Sequence, residues 1–379
     1  MNYRIELADR SFNVLEYLEK EAMGVSWEYA RIGGCGSFSF DLPRELCNEK
    51  YISGDFNVKI KRRNPATGAY DLWYQGIVER KEPSLRGARE TVQVTGHGYF
   101  AQLGRIRLTE TYSSTEISVI VKDILDTYVT PNTDITYDAG DIEATSFTPD
   151  TLEFKNVTAL EALQTCAETA GGVEYGVDRN RKFIFKARST TVNFLLPASG
   201  GKLRDYSYED DFSAIVNQVF IQGGDVSGSP FTYSVPGDGS STLATVSQLK
   251  YGRRDRVIQN SAIVTNAVAQ QFADTIFAEF SDVVRRGRGR LVDYEDLIED
   301  TTPLGLFQAK VRGTTYGEKH YGTFLYSGPI SFQIDRITYS INKDSDLEIG
   351  LTLGELRPDE AEYISRLENR IEAIRTAGL

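Results

Sequence analysis

Histidine, the side chain that most often exchanges protons near neutral pH, occurs twice in the 379 residues, as His97 and His320. A Ser–His–acid triad needs a nucleophile and an acid that converge on the histidine, and nothing local brings a serine or cysteine to either one. Cys35, Cys47 and Cys166 are widely spaced and show no zinc-ligand spacing. The sequence therefore predicts structural or surface roles for both histidines, and no catalytic residue, metal site or cofactor.

Phosphate binding has two weak indications in the sequence. Gly34 and Gly36 precede a strand rather than a helix, which favours a turn over a dinucleotide site. The run Arg285–Arg290 could contact phosphate, but such runs are also typical of strand edges and of interfaces with acidic neighbours. The net charge of −12 favours a strand edge or an interface with an acidic neighbour. It also argues against specific nucleic-acid binding, which depends on basic patches.

Acidic side chains are abundant, and two of them at the right separation could hydrolyse a glycosidic bond. The clusters Glu209–Asp211 and Asp293–Asp300 are more typical of solvated loops. Asp344 and Asp346 resemble the start of a calcium loop but lack its glycine and closing glutamate, and they lie where a hairpin must turn. A carbohydrate-active enzyme with paired carboxylates stays open as an alternative.

Length and composition indicate a folded protein of two to four domains, with 40% hydrophobic and 25% charged residues. No apolar run reaches membrane-spanning length, so we expect no transmembrane segment. The first residues already form a strand pattern, which predicts no signal peptide and assembly in a cytoplasm. The odd number of scattered cysteines predicts reduced thiols rather than a disulfide framework.

A β-hairpin pattern occurs twice, near opposite ends of the chain. The first copy runs from Ile77 to Gly96 and the second from Ile334 to Gly354, each as two alternating strands around a polar turn. A further strand precedes each copy, at Asn57–Arg62 and Phe307–Arg312. Two similar units far apart in the chain predict a duplicated barrel, which lets a ring be built from fewer chains.

The period of the pattern changes between the two copies. Ser113–Glu116 resembles a capping box ahead of an apolar helical face. A second helix is expected to begin near Asn156 or Thr158, with Glu161 in the capping-box position three places after the threonine, and to end at Gly171. A hairpin follows. Beyond it we expect a strand at Ile215–Gly224, an exposed Gly/Ser/Pro-rich loop at Ser227–Ser241 and a long helix at Ala262–Phe280.

The predicted fold class is α+β and mainly β: two tube-like β-barrel domains with an inserted α+β domain, a long helix before the second barrel and a C-terminal amphipathic helix. The expected domains are a first barrel at 1–106, the insert at 107–205, a return strand, long helix and second barrel at 206–354, and the helix at 355–379.

The C-terminal helix is expected to begin at Pro358. Its apolar residues have a three, four, three spacing, which is that of a coiled-coil seam, and isoleucine at both kinds of position is compatible with a trimer. The seam covers only two heptads, so a helix docked on its own barrel explains the pattern equally well. The seam residues are Ile364, Leu367, Ile371 and Ile374.

The order of these parts resembles the hub proteins at the tip of phage tails, which include contractile-tail baseplate hubs and the N-terminal region of siphophage tail-associated proteins. The segments that carry the resemblance are Gly36–Pro43, Ile215–Gly224, Leu249–Arg254 and Ile334–Gly354. None of them is a catalytic signature, since the similarity lies in order and pattern across nearly the whole chain.

The resemblance implies a homotrimer in which two tube-like barrels per chain make a pseudo-sixfold ring that adapts the tail tube to the tip and gates DNA passage. It implies a virion location and, as partners, the tail tube, the distal tail protein ring, the tape-measure protein and a fibre or spike at the C-terminal end. We expect interface contacts from the seam residues and from Val58, Ile60, Phe307 and Val311. The hub of a phage-like injection device is an alternative that sequence hardly separates from a phage hub.

Overall fold

A computed structural model describes residues 3–18, 20–44, 55–64, 66–86, 89–145, 148–149, 151–170, 173–187, 194–197, 203–226, 228–259, 263–292, 308–312, 314–316, 319–321, 330–341 and 347–354. These residues form an α+β fold that is mainly β, as the sequence predicts. The C-terminal segment 355–379, with Ile364, Leu367, Ile371 and Ile374, lies outside this part of the chain, as does Phe307.

The N-terminal part consists of strands joined by short turns. They are β1 (Tyr3–Ala8), β2 (Val14–Tyr17), β3 (Met23–Ala30), β4 (Gly33–Pro43), β5 (Asn57–Arg63), β6 (Tyr70–Arg86) and β7 (Arg89–His97).

The insert mixes helices and strands. After a 3-10 turn at Tyr99–Arg105 come β8 (Arg107–Ser113), α1 (Ile117–Ile124) with a π-helical extension to Val129, a 3-10 turn at Ala139–Asp141, β9 (Thr151–Thr158), α2 (Ala159–Ala170), β10 (Val173–Val177) and β11 (Phe183–Ala187).

The remaining elements run to the end of the described chain. They are β12 (Phe194–Pro197), β13 (Leu203–Asp211), β14 (Gln218–Val226), β15 (Ser229–Val235), α3 (Thr242–Tyr251), β16 (Asp255–Gln259), α4 (Asn266–Phe280), β17 (Val284–Val292), β18 (Gln308–Arg312), β19 (Thr314–Tyr316), β20 (Lys319–Tyr321), β21 (Ile330–Ile341) and β22 (Leu347–Leu353).

The duplication predicted from sequence is confirmed by strand order. The first copy pairs as β4–β7–β6–β5 and the second as β17–β22–β21–β18, with every neighbouring pair antiparallel. The two copies are not two closed barrels within the described residues. Strand β3, beside β4, pairs with β21, so both copies belong to one continuous sheet.

One hydrophobic core serves both copies. Trp27 and Tyr339, which come from different copies, stack with ring centroids 5.2 Å apart, and Trp73 packs edge-on against Trp27. Such aromatic pairs add about 0.5–1.5 kcal/mol to the burial of their surface. Strands that alternate apolar and polar residues bury one face only, and here that buried face is continuous from one copy to the other.

The insert has its own core, built around the apolar face of α1 and the small residues of α2. The helix α1 begins three positions later than a Ser113–Glu116 capping box implies, because Glu116 is itself the N-cap and accepts from the backbone amides of Ser118 and Val119. At α2 the expected box is present. Thr158 N donates to Glu161 at 2.7 Å, and Glu161 N donates to Thr158 Oγ1 at 3.1 Å.

A third core is formed by the segment that follows the insert in the chain, where α4 packs on the sheet β15–β14–β16. The expected loop at Ser227–Ser241 contains strand β15 instead, because Tyr233 and Val235 alternate inward despite the Gly/Ser/Pro-rich composition. The long helix begins at Asn266, four residues after the predicted start. Strand β13, placed in part within the predicted insert, pairs with β17 of the second copy.

Candidate assembly interface

The residues considered for chemistry do not converge. His97 ends β7, is half exposed, and has Nε2 3.7 Å from a carboxylate oxygen of Glu79. His320 lies on β20, in a separate two-stranded sheet. Burial raises the pKa of the Cys35 thiol far above its ordinary value, which disfavours the nucleophilic thiolate. Within the described ranges, no three His, Cys, Asp or Glu side chains form a group suited to a metal ion.

A small polar cleft of about 110 Å³ lies between the first copy and the insert. Asp55 and Asp134 line it, but each is already engaged: Arg105 Nη1 lies 3.6 Å from Asp55, and Gln102 Nε2 donates to Asp134 at 3.1 Å. Pockets for drug-sized ligands measure about 300–1,000 Å³. The cleft is therefore too small to enclose an oligosaccharide.

The junction between the two copies joins strands from opposite ends of the chain. Strand β3 of the first copy runs antiparallel to β21 of the second, with Ser26 opposite Ser340, Trp27 opposite Tyr339 and Ala30 opposite Arg336. Because side chains alternate along a strand, Trp27 and Tyr339 enter the core while Ser26 and Arg336 lie on the other face. The junction is thus apolar on one face and polar on the other.

A buried ion cluster closes one end of this junction. Arg31 follows β3 and places Nε 3.1 Å from Asp335 Oδ1 on β21 and Nη1 3.2 Å from Glu174 Oε1 on β10. All three side chains are at most 10% exposed. One guanidinium therefore joins the first copy, the insert and the second copy. Arg suits this position because its planar fork can bind two carboxylates at once.

Asp335 reaches Arg31 because it occupies a β-bulge. The register of β21 on β22 shifts between Ile334 and Arg336, and that of β6 on β7 shifts at the matching place, between Val78 and Arg80. The bulged residue of the first copy is Glu79, whose partner is Arg105 of the insert at 3.0 Å. The two copies therefore share a bulge that presents an acid, and each acid binds a cation from a neighbouring unit.

The polar face of the sheet carries small hydroxyl side chains and paired charges. Ser26 Oγ lies 2.8 Å from Ser39 Oγ. Glu28 accepts from Ser37 Oγ at 3.0 Å and lies 3.5 Å from Arg336 Nη1 across the junction. Arg290 likewise lies beside Glu348, so two basic side chains of this face are paired with acids.

Of the interface residues predicted from sequence, Val58, Ile60 and Val311 lie in the described part of the chain. Val58 and Ile60 have no exposed surface and pack in the shared core, because β5 has β1 on one side and β6 on the other and is not an edge strand. Val311 lies on β18 between β12 and β21, so that strand is internal as well. Each of these two strands therefore has a neighbouring strand on both sides. Phe307 and the C-terminal seam residues lie outside the described residues.

Sequence reasoning missed Arg31, Glu174 and Asp335. Their only local signal is a charged residue interrupting an apolar pattern, as Asp335 does between Ile334 and Ile337. Nothing in the sequence indicates that residues so far apart meet, since pairing between strand edges leaves no mark on the alternation of either strand.

No protein-family model and no curated protein sequence matches the chain. Among solved structures, the 43 kDa tail protein of prophage MuSo2 from Shewanella oneidensis gives a TM-score of 0.64 at 12% identity, covering 95% of this chain and 99% of that one. The tail protein from Neisseria meningitidis MC58 gives 0.61 at 11%, covering 94% and 97%. The chain has the fold of phage tail proteins.

A PdpA–VgrG complex in its lidless form also resembles the chain, with a TM-score of 0.58 at 9% identity, covering 93% of this chain and 64% of that one. At such identities the likeness concerns the fold alone. The tail-protein fold extends over nearly the whole chain, which confirms the resemblance stated from sequence. Within the described residues, no helix is both long and apolar enough to cross a membrane.

Proposed function

We propose that this chain is a structural hub protein of a phage tail tip, and that three copies form a ring with pseudo-sixfold symmetry. The observation that carries the proposal is the edge-to-edge joining of two copies of one four-strand unit within a single chain. A contact that joins unlike edges is heterologous, and its repetition gives a closed ring when the rotation per step divides a full turn. Six units from three chains would complete such a ring.

The proposed hub function implies a set of partners in the tail. On one side the ring would contact the distal tail protein ring and the tail tube, whose symmetry the duplicated units would match. It would also anchor the tape-measure protein. A fibre or spike would attach at the C-terminal end. The protein would be assembled in the host cytoplasm and reside in the virion.

The polar face of the sheet is the surface we assign to the lumen. Two of its basic side chains already lie beside acids, Arg336 beside Glu28 and Arg290 beside Glu348, and cation clusters are what hold DNA phosphates. The ring would therefore let DNA pass without binding it specifically. We further propose that the ring gates this passage when the tail tip contacts its host.

We propose no catalytic activity for this chain. Two proteins with the same fold are tail proteins. The two carboxylates of the cleft bind Arg105 and Gln102 rather than facing each other across a sugar-sized space. Incubation of the purified protein with bacterial cell walls tests this directly. Release of soluble sugar that Asp55→Asn or Asp134→Asn abolishes would contradict the proposal.

The ring is tested by the mass of the purified protein in solution. Light scattering at several concentrations should give three times the 42.4 kDa of one chain, and negative-stain images should show a ring with a central opening. A dimer, or a monomer at every concentration, would count against the ring.

A hub of a phage-like injection device is a second candidate, favoured by the likeness to the PdpA–VgrG complex. The two candidates share the ring and differ in whether a genome passes through it. The genes beside this one distinguish them. Portal and terminase genes would support a phage, and their absence beside other tail genes would support an injection device.

A further inference from the structure

Two strand edges of the duplicated sheet face no further strand within the described part of the chain. The pairing of β6 with β5 ends at Ile77, and from Arg80 to Arg86 strand β6 has a neighbouring strand, β7, on one side only. Strand β13 has a neighbouring strand, β17, on one side only. Such edges are templates for pairing with another chain.

The internal symmetry of the chain identifies what these edges correspond to. Strand β21 is the second-copy counterpart of β6, and the matching bulges align Ser340 with Ser84. Strand β13 is the counterpart of β3. Both strands carry one extra residue at the same place: the four residues from Met23 to Ser26, and the four from Arg204 to Ser207, each lie opposite three residues of the next strand. This aligns Ser26 with Ser207.

The β3–β21 junction therefore has an unfilled equivalent. Inside the chain, Ser26 lies opposite Ser340. We propose that β13 of one copy of this chain pairs antiparallel with β6 of the next copy, in the register of β3 on β21, so that Ser207 lies opposite Ser84. This inference rests on the proposed ring and specifies the contact that closes it.

Charge on the two edges suits this register. This register places Asp211 of one chain opposite Arg80 of the next chain, and Asp210 opposite Lys81. Two acids therefore meet two bases across the contact between the chains. Glu209 lies opposite Glu82, an unfavourable pair that Arg80 flanks two residues away on the same strand. Pro83 has no backbone N–H, so only the residues on either side of it can donate hydrogen bonds to this ladder.

The junction inside the chain and the proposed junction between chains differ at the position of the buried ion cluster. The counterpart of Arg31 is Phe212, which follows β13 and is 50% exposed. The counterpart of Asp335 is Glu79, which binds Arg105 of its own chain. The contact between two chains therefore needs no buried ion pair, and the apolar surface of Phe212 becomes buried when the chains join. The inner junction is thus permanent, while the outer one can form between folded chains.

Disulfide cross-linking tests the register. All variants carry Cys47→Ser, since Cys35 and Cys166 are buried. Single variants Ser84→Cys and Ser207→Cys, made in chains of different tag length, are mixed and oxidised. We expect a heterodimer between the two, at least ten-fold more abundant than either homodimer. The shifted pair Ser84→Cys with Asp211→Cys should give no more than the homodimer background.

The variant Ser26→Cys/Ser340→Cys is the matched control, because it places the same pair at the equivalent inner junction and should close within one chain. If it closes and the mass is that of a trimer, but the Ser84–Ser207 product is absent, this junction is overturned and the ring survives. If the product forms but the mass in solution exceeds that of a trimer, the junction stands and the trimeric ring fails. A monomer with no product at any concentration overturns both.

Discussion

Arg31 Nε lies 3.1 Å from Asp335 Oδ1, and this ion pair connects residues from opposite ends of the chain. The same guanidinium reaches Glu174 of the insert. Burying ions is costly unless each one is compensated, so the cluster requires all three units to be in place together. It therefore acts mainly on the relative position of the units, and its contribution should be measured by removing its members one at a time.

Replacement of the shared cation should be the most damaging change in this cluster. Arg31→Met leaves Glu174 and Asp335 buried without it, and we expect a loss of about 3–5 kcal/mol in the free energy of unfolding. Asp335→Asn leaves Arg31 bound to Glu174, so the loss should be smaller, about 2 kcal/mol. Urea unfolding of purified variants measures both.

Glu79→Gln is the control for that experiment, because Glu79 occupies the same bulge in the other copy but is one-third exposed. A solvent-exposed pair contributes about 0–1 kcal/mol, so this variant should unfold nearly as the parent does. Equal losses for Asp335→Asn and Glu79→Gln would show that burial of the cluster is unimportant.

The strands themselves could be predicted from the sequence, since their alternation is local. The hairpins around Val78–Gly96 and Ile334–Leu353 lie where expected because each buries one face. Helix α3 could not be predicted, because its buried residues include Ala244 and Ser247 while the larger Leu249 is 85% exposed. The candidate interface could not be predicted either, because it depends on which strand edges meet, and edges are not encoded in side-chain alternation.

Trp27 and Tyr339 should be energetically coupled across the two copies. Their rings stack at 5.2 Å with an angle of 12° between planes. Trp27→Leu and Tyr339→Leu should each destabilise the protein, and the double variant should cost about 0.5–1.5 kcal/mol less than the sum of the two. Denaturant unfolding of the four proteins gives the coupling. A coupling near zero would mean that the copies merely adjoin without packing as one core.

Glu116 should make the start of α1 sensitive to acid. Burial tends to raise its pKa, but hydrogen bonds from Ser118 and Thr145 outweigh that effect and lower the pKa to about 2. A carboxylate with a lowered pKa stabilises the fold above its ordinary pKa of 4.5, and this stabilisation is lost as pH falls toward 2. Glu116→Ala should cost about 1 kcal/mol at pH 7, and the difference from the parent should shrink between pH 5 and pH 2.

The comparison that isolates the carboxylate is Val119→Ala, a change at an exposed position of the same helix that carries no charge. Its effect on the free energy of unfolding should not vary over that pH range. Urea unfolding at pH 7, 5 and 3 measures both variants. A constant deficit for Glu116→Ala would exclude the charge of the cap as the source of its effect.

Gly34 should be irreplaceable at the contact between the first copy and the insert. It has a φ of +75°, and a Cβ there would lie 2.1 Å from the carbonyl oxygen of Val177, on the strand that pairs in parallel with β4. Gly24 also has a positive φ, +59°, but has no atom within 4 Å of the added Cβ position. Both alanine variants carry the strain of a left-handed backbone, about 1–2 kcal/mol, and only Gly34→Ala adds a backbone collision. We therefore expect Gly34→Ala to unfold at clearly lower urea concentration than Gly24→Ala, with hydrogen exchange rising in β10 and β4 alone. Similar midpoints for the two variants would show that the insert does not pack on β4 as closely as these distances require.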